Sequence, residues 1–360
     1  MTVCTRGSGS AAFDYADFME RFFGATTALI LCDYFADPSY APTVARMRAR
    51  FGDRVLEATS NQSVPNRMWS PAETAAALTA HKVTHMHVQI GGSRWQNKVE
   101  FPRLIQSQKH NVSLAVHAMF HGGSRFGNAF AKLDDTVSGI FTPVVPYMTR
   151  PLSGASGSAA SELLRGLGIP ATGVTTICGY GGQTSFDIGF VRETVCSLGG
   201  GSGSSPSNLF FIFANFPTFC TSASRRVFFL PNMRTQEDKH AFVQACTAML
   251  HARASGETFG LAVAEFNMMS RPVLTWNGSV SRAHINILGN QALLYSNADT
   301  LRARLLDLAT ADGQTLHVQP AYANYQPEPV MLRFCHVFYW QHNYTKAYEP
   351  RSYLDGRCAQ

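Results

Sequence analysis

The sequence lacks the features that identify membrane proteins, metalloproteases and serine hydrolases. Its longest apolar runs, such as residues 28–32 and 209–214, fall far short of the ~20 residues of a membrane-spanning helix. It has no H-E-x-x-H zinc motif and no G-x-S-x-G nucleophile elbow. G-x-G-x-x-G and Walker loops, which cradle phosphates in many nucleotide-binding proteins, are absent as well. We therefore expect no membrane span, and the hydrolase and metalloprotease interpretations are weakened.

The composition is that of a large folded protein with few charges. Of 360 residues, 45% are hydrophobic and only 15% are charged, which provides for a sizeable core and argues against disorder. The net charge of +6 is mild, and the basic residues are scattered, so a nucleic-acid partner is not expected. A modest positive field suits a small anionic ligand such as a nucleotide.

The eight cysteines form no C-x-x-C pair. Their number is even, but the chain is large and has no recognisable secretory signal. This combination favours free thiols in a reducing compartment over disulfides, and we expect a cytoplasmic protein.

Short apolar runs alternate with helical patterns along the first 148 residues. Strands are predicted at 26–32, 83–90 and 113–117, and a helix is predicted at 41–51, with Gly52 after it. This alternation is typical of an α/β domain with a parallel sheet, whose ligand loops follow the carboxyl ends of the strands.

A second series of the same kind begins after a small-residue linker at 153–160. Its predicted strands are 174–178, 209–214, 226–230 and 273–276, with a helix at 161–167 and another at 237–251. We therefore expect two Rossmann-like domains facing each other across a cleft, at 1–148 and 149–322. An aromatic-rich tail at 323–360 follows them.

Two acidic residues in the second domain are the strongest functional signal. Glu257 and Glu265 have seven residues between them, and Glu265 lies in an apolar stretch where an unpaired carboxylate is rare. Gly256 and Gly260 allow a ligand close to the backbone. A helix starting at Leu261 would direct its free N–H groups toward an anion. The alternative is a surface acid and an acid that merely complements a helix dipole.

Histidines in the first domain offer weaker candidates. His117 ends a predicted strand, where a histidine is as often a structural hydrogen-bonding residue as a functional one. His85 and His87 share a strand face and are able to ligate a metal, but the sequence supplies no third ligand. A hydrogen-bonded pair within the sheet is the stronger interpretation.

Glycines and basic residues complete the set of candidates. Gly91-Gly92 and the segment 179–182 follow predicted strands and would let a backbone approach a phosphate, although plain tight turns explain them equally. The basic residues of the second domain nearest to such a site are Lys239, Arg253, Arg225 and Arg226. Each of these alone is more often a solvated surface charge.

Residues 255–275 resemble the nucleotide-sugar loop of retaining GT-B glycosyltransferases of the group 1 type. That loop carries an E-x7-E motif followed by a Pro-Val strand, and the matching positions are Glu257, Phe259, Gly260, Leu261, Glu265, Pro272 and Val273. The resemblance is most specific over 230–300 and extends loosely over both domains. Segments 13–16, 182–188 and 249–260 look like a branch of transferases found in part in large DNA viruses.

The resemblance implies a GT-B fold whose C-terminal helix packs back on the first domain. It also implies transfer, with retention of anomeric configuration, from a UDP- or GDP-linked sugar to a glycan, glycoprotein or other hydroxyl acceptor. No metal or other cofactor is implied, in keeping with the absence of a D-x-D sequence.

The resemblance also implies a role for individual residues. Glu265 would accept hydrogen bonds from the ribose, Glu257 would hold hydroxyls of the donor sugar, and His117 would contact that sugar near the anomeric carbon. The predicted catalytic residues are Glu257 and His117. The predicted donor-binding residues are Glu265, Thr258, Phe259, Gly260, Leu261, Arg253, Gly91, Gly92, Gly181 and Pro231.

One departure from the family pattern concerns the phosphate-binding cations. The family has an Arg just after the first strand of the second domain and a Lys a few residues later. Here Gly179-Tyr180 occupies the Arg region, and the next Lys is Lys239. This departure keeps a second interpretation open, a non-catalytic nucleotide-sugar-binding protein on the same scaffold. An epimerase or phosphorylase of GT-B form is a third.

Overall fold

The computed structural model describes most of the chain. The described residues are 2–3, 6–31, 41–57, 71–90, 112–119, 127–135, 137, 143–181, 185–200, 205–221, 223–233, 235–310 and 318–340. The chain divides into two compact units, one formed by 1–148 with 325–360 and the other by 149–324.

The amino-terminal part of the first unit alternates strands with helices. Its elements are β1 Thr2–Val3, α1 Arg6–Phe23, β2 Leu29–Leu31, α2 Ala41–Phe51, β3 Val55–Glu57, α3 Pro71–Ala80, β4 His85–Ile90, β5 Ser113–Ala118 and β6 Ala129–Lys132. They form two three-stranded sheets of order β1-β2-β3 and β4-β5-β6, in which every pairing is parallel. The apolar face of α1 packs with α2 against β2 to form one core.

The second unit is built on one six-stranded sheet. Its elements are α4 Ala159–Gly166, β7 Thr175–Tyr180, α5 Gly189–Gly199, β8 Leu209–Ala214, β9 Val227–Leu230, α6 Gln236–Ala245, β10 Ala248–His251, β11 Gly256–Glu257, α7 Leu261–Met268, β12 Val273–Trp276, β13 Ser281–Arg282, α8 Ala283–Leu288, β14 Ala292–Tyr295 and α9 Ala298–Thr310. The strand order is β14-β12-β10-β7-β8-β9, and all the pairings are parallel. Strands β7, β8, β10 and β12 are almost wholly buried, as the inner strands of a parallel sheet are, and β8 is apolar throughout.

The chain then returns to the first unit. Helix α10 Pro327–Cys335 and the helical turn His336–Trp340 belong to that unit, which is where the family resemblance put a C-terminal helix. The ring of Phe334 stacks on Tyr15 of α1, with 4.6 Å between the ring centroids. This packing accounts for the described part of the aromatic-rich tail.

The helix predicted at 237–251 is wrong in its second half. Helix α6 ends at Ala245, and 248–251 form β10, a fully buried strand between β7 and β12. A short apolar run of this kind fits a buried strand and a buried helix equally well by periodicity. The tertiary structure decides the outcome, since the run fills the centre of the sheet.

The expectation of free thiols is also wrong. Disulfides join Cys178 to Cys246 and Cys196 to Cys220, and Cys335 is disulfide-bonded as well. The first pair is 68 residues apart in sequence, but the fold brings the two Cα atoms to 5.8 Å because β7 and β10 are neighbouring strands. Disulfides are uncommon in reducing compartments, so the cytoplasmic prediction loses the observation on which it rested.

Within the described residues, no helix has both the length and the apolar character needed to cross a bilayer.

Candidate functional site

The two motif acids lie beyond the carboxyl ends of the central strands of the second unit. The loop that leaves β10 at His251 forms β11, which pairs with β13 and carries Glu257. Gly256 makes this pairing possible, because a Cβ atom there would lie 2.0 Å from the backbone oxygen of Ser281. Asp187 adds a further tie, since its Oδ1 accepts the N–H of Ala254 at 2.7 Å.

The predicted helix start at Leu261 is confirmed. Helix α7 runs from Leu261 to Met268, and Gly260 is its N-cap with φ +84°. This left-handed conformation favours glycine, and a Cβ atom at Gly260 would lie 3.1 Å from the Cβ of His284. The first N–H groups of a helix have no partner within the helix, so the turn from Phe259 to Leu261 is suited to bind an anion.

Glu257 is held by a cation and lies against an imidazole. Its Oε1 accepts a hydrogen bond from Nη1 of Arg253 at 2.8 Å, and Nε2 of His251 lies 3.6 Å from the same oxygen. Burial alone would raise the pKa of Glu257, but His251 and Arg253 outweigh burial and lower that pKa to about 2. Glu257 is therefore a carboxylate throughout the physiological range, with about a quarter of its side chain exposed.

A second buried imidazole lies behind His251. Oγ1 of Thr275 is 3.0 Å from Nδ1 of His251 and 3.0 Å from Nε2 of His284. The centroids of the two imidazole rings are 4.7 Å apart. His251, Thr275 and His284 are all buried, and burial with the nearby His251 lowers the pKa of His284 to about 3.

Glu265, in the second turn of α7, has its own cation. Its Oε1 accepts a hydrogen bond from Nζ of Lys239, a residue of α6, at 3.0 Å. Burial would lower the pKa of Lys239, but the charge of Glu265 and the nearby Tyr180 outweigh it and raise that pKa. Tyr180, at the end of β7, also presents its ring 5.5 Å from the ammonium group. Each motif acid is thus paired with one basic side chain.

The loop between the two acids is anchored by Tyr322, a residue from later in the chain. Thr258 and Phe259 are buried, and the hydroxyl of Tyr322 donates to the backbone oxygen of Phe259 at 2.7 Å. Tyr322 is itself fixed by its backbone, since its N–H donates to Oδ1 of Asn267 at 3.1 Å. Asn267 belongs to α7, so Tyr322 links the loop to the helix that follows it.

Two further predicted donor-binding residues lie near strand ends in the same unit. Gly181 follows β7, and its backbone oxygen accepts a hydrogen bond from Nδ2 of Asn215 at 2.6 Å. Pro231 follows β9 and is exposed. Because carboxyl ends of parallel strands meet at one edge of a sheet, both lie at the edge that carries Glu257. Gly91 and Gly92 lie outside the described residues.

His117 lies in the core of the first unit. Its imidazole is fully buried and its Nε2 is 2.8 Å from the backbone oxygen of Val145, as in a structural hydrogen bond. Burial lowers the pKa of His117 to about 4, so the ring is neutral at pH 7. A side chain this deep needs a rearrangement to contact a ligand. Its contact with a donor sugar stays a prediction.

The two strand histidines of the first unit do not form the hydrogen-bonded pair that we favoured. His85 is exposed, whereas His87 is buried among aromatic rings, 5.0 Å from the ring of Phe334 by centroids. Neither ring nitrogen of His87 has a hydrogen-bond partner within the described structure. No group of three or more His, Cys, Asp or Glu side chains in the described ranges is arranged to hold a metal ion.

Several contacts of the site could not be predicted from the sequence. Lys239 was a candidate cation, but its pairing with Glu265 joins side chains of two helices that are 26 positions apart in the sequence. His251 was assigned to a helix, which obscured its position at the end of a central strand. His284 and Tyr322 reach the loop from later in the chain, and nothing in the local sequence predicts those contacts.

Comparison with known proteins identifies the fold by structure rather than by sequence. No protein-family model matches the chain. No curated protein matches it by sequence. Among solved structures, HepE of Anabaena in complex with UDP-glucose superposes with a TM-score of 0.64 at 13% identity, covering 93% of this chain and 98% of HepE.

Two other solved structures superpose on the chain as well. A glycosyltransferase of Rickettsia africae has a TM-score of 0.65 at 12% identity, covering 94% of this chain and 96% of its own. The N-terminal domain of trehalose-6-phosphate phosphatase from Candida albicans has a TM-score of 0.61 at 9% identity, with 93% and 95% covered. The chain therefore has the GT-B fold that the E-x7-E resemblance implied.

Proposed function

We propose that this protein is a glycosyltransferase that moves a sugar from a nucleoside diphosphate sugar to a hydroxyl group of a glycan, glycoprotein or other acceptor, with retention of anomeric configuration. The observation that carries the proposal is the arrangement around the E-x7-E loop. Two carboxylates, each paired with a cation, flank a glycine-capped helix start at the carboxyl edge of a parallel sheet. Ligands of open α/β sheets bind at that edge.

The proposed donor site divides between the two acids. Glu265 accepts hydrogen bonds from the ribose hydroxyls, and Glu257 accepts them from hydroxyls of the donor sugar. The N–H groups of the turn from Phe259 to Leu261 donate to the diphosphate or the sugar. A carboxylate that stays ionised suits the role of an acceptor, and the low pKa of Glu257 supports it.

Arg253 and Lys239 provide positive charge where the family's usual Arg and Lys are missing. Both lie within hydrogen-bond distance of a motif acid. On this proposal they face the diphosphate once the donor is bound, and they stabilise the negative charge of the leaving group. Catalysis then rests on positioning and charge stabilisation rather than on a protein nucleophile.

The proposed reaction is a same-face displacement. The acceptor oxygen forms a bond to the anomeric carbon while the bond from that carbon to the diphosphate oxygen breaks. The proton of the acceptor hydroxyl passes to the departing diphosphate. His117, Gly91 and Gly92 keep their predicted roles toward the donor sugar and the phosphates, and they are separate targets for mutagenesis.

A second candidate is a non-catalytic nucleotide-sugar-binding protein. One observation favours it: in the described structure each motif acid is already neutralised by its own cation, and no basic residue directly follows β7. Such a protein would bind the donor through the same loop without cleaving it.

The test begins with a thermal-shift screen of UDP- and GDP-linked sugars. UDP-glucose is the first donor to try, because HepE was solved with it. A donor at about a hundredfold over its dissociation constant should stabilise the protein by about 2.7 kcal/mol. The donor that binds is then assayed for slow hydrolysis and for transfer to sugar acceptors.

Variants then separate catalysis from binding. E257Q should abolish turnover, whereas E193Q, a change at an exposed acid on α5, should leave it intact. Donor binding without turnover in the wild type would favour the non-catalytic candidate. Absence of binding to every nucleotide sugar would refute both.

A further inference from the structure

A buried line of polar side chains leads to Glu257 from the interior of the second unit: two hydrogen bonds join its members, and a 3.6 Å approach connects it to the carboxylate. It comprises His284 in α8, Thr275 in β12 and His251 at the end of β10. Strands β10 and β12 are neighbours, and His251 is opposite Thr275 in their register. The successive separations are 3.0, 3.0 and 3.6 Å, the last from Nε2 of His251 to Oε1 of Glu257.

The line has one consistent hydrogen-bond direction. A neutral imidazole has one N–H donor and one acceptor nitrogen. If a neutral His251 carries its hydrogen on Nε2, toward the carboxylate 3.6 Å away, its Nδ1 accepts the hydroxyl hydrogen of Thr275. The Thr275 oxygen then accepts the Nε2 hydrogen of His284. Every hydrogen in the line therefore points toward Glu257.

The location of the line is as informative as its direction. His284 is fully buried, and it also lies directly beneath Gly260, whose Cβ position would be 3.1 Å from the Cβ of His284. The same side chain thus underlies both the E-x7-E acid and the helix start. Nδ1 of His284 has no hydrogen-bond partner within the described structure. Nε2 of His251 likewise has no hydrogen-bond partner there and faces the Glu257 carboxylate, and burying such a polar atom without a partner is unfavourable.

We propose that Thr275 and His284 are positioning residues that act through His251 to hold the Glu257 carboxylate in one orientation toward the donor sugar. The inference rests on the proposed function and adds to it. Arg253 holds the carboxylate from the loop, where it is part-exposed, whereas the buried line holds it from the rigid sheet. A carboxylate fixed on two sides loses less freedom when the substrate binds.

The test replaces the hydroxyl of Thr275, the middle member of the line, by a methyl group and so keeps the shape of the side chain. T275V removes the hydroxyl, and T275S keeps it. T175V is the matched control, because Thr175 is also a buried threonine of the same sheet, with its hydroxyl donating to the backbone oxygen of Leu308 instead. Donor hydrolysis gives kcat and KM. ¹⁵N NMR of the ligand-free protein gives the tautomer of His251, whose ring signals are assigned by their absence from the spectrum of H251Q.

The expected results separate positioning from structure. Wild type and T275S should show His251 protonated on Nε2, whereas T275V should show a mixture of tautomers. T275V should lower kcat by about ten- to a hundredfold with little change in KM, since small misplacements of a catalytic group have effects of this size. T175V should lower stability without altering kcat or the His251 spectrum.

Two results would overturn the inference. One is a wild-type His251 protonated on Nδ1, a measurement that needs neither a variant nor an active enzyme. The other is an active wild type whose kcat survives in T275V. If the wild type turns over no donor, the proposed function fails, while the NMR result still decides whether the hydrogen-bonded line exists.

Discussion

The hydroxyl of Tyr322 donates a hydrogen bond to the E-x7-E loop, and the loss of this hydroxyl can be tested on its own. The Y322F variant removes only the hydroxyl that donates to the backbone oxygen of Phe259 at 2.7 Å. The edge-to-face contact of the two rings, with centroids 5.3 Å apart, is retained. The backbone hydrogen bond from Tyr322 to Asn267 is retained as well.

The magnitude follows from the hydrogen bond lost at the buried carbonyl of Phe259. An unsatisfied buried acceptor costs about 1–3 kcal/mol. For a unit of this size, about 2 kcal/mol corresponds to a fall in Tm of roughly 4–8 °C. Because the Phe259 to Leu261 turn also loses its anchor, we expect affinity for the nucleotide to fall about three- to tenfold, which is at most ~1.4 kcal/mol.

The assay compares Y322F with Y15F. Tyr15 is likewise fully buried, and its hydroxyl donates to the backbone oxygen of Pro146 at 2.7 Å, but it belongs to the first unit. Both variants should lose similar stability in chemical denaturation, and only Y322F should weaken nucleotide binding in a calorimetric titration. Equal nucleotide affinity in the two variants would refute the view that Tyr322 holds the donor loop.

Two further predictions concern stability. G260A should destabilise the protein more than G168A does. Both glycines have positive φ, but a Cβ atom at Gly260 would contact His284, whereas a Cβ atom at Gly168 would lie in open space. Equal losses of stability in urea denaturation would show that the contact with His284 is unimportant. His117 has a pKa of about 4 in the folded protein and about 6.5 when unfolded, so as pH falls below 6.5 the unfolded state takes up a proton first and stability is lost. Between pH 6.5 and 5 the loss is about 1.6 kcal/mol. Because other buried histidines such as His284 add a loss of the same sign, denaturation at both pH values should show a loss in H117Q that is smaller than in the wild type by this amount. An identical pH dependence would contradict a buried neutral imidazole at His117.

The sequence predicted the elements that are determined by neighbouring residues alone. The strands Leu209–Ala214 and Val273–Trp276 were predicted to the residue, because each is a short apolar run and each is buried in the middle of the sheet. The helix start at Leu261 was predicted too, and the structure shows why it begins there: Gly260 adopts a conformation that other residues adopt only with strain. The motif acids were found because carboxylates are unusual in an apolar, glycine-flanked segment.

What the sequence could not predict depends on distance along the chain. The two disulfides with both partners described, and the ion pair of Lys239 with Glu265, join residues that become neighbours only when the parallel sheet forms. Strand β10 was mistaken for helix because its four residues are all buried and show no periodicity. The histidines behind Glu257 were missed for the same reason, because His251 becomes a site residue only when β10 is recognised as a strand.

The most direct test of the account is a calorimetric titration of the nucleoside diphosphate identified in the donor screen into wild type, E265A and E193A. Removing a carboxylate that accepts ribose hydroxyls should weaken binding by at least about tenfold, since hydrogen bonds to charged groups contribute about 1.5–3 kcal/mol. E193A, which removes an exposed acid on α5, should bind as the wild type does. Wild-type affinity in a folded E265A protein would contradict the claim that the E-x7-E loop is the nucleotide site.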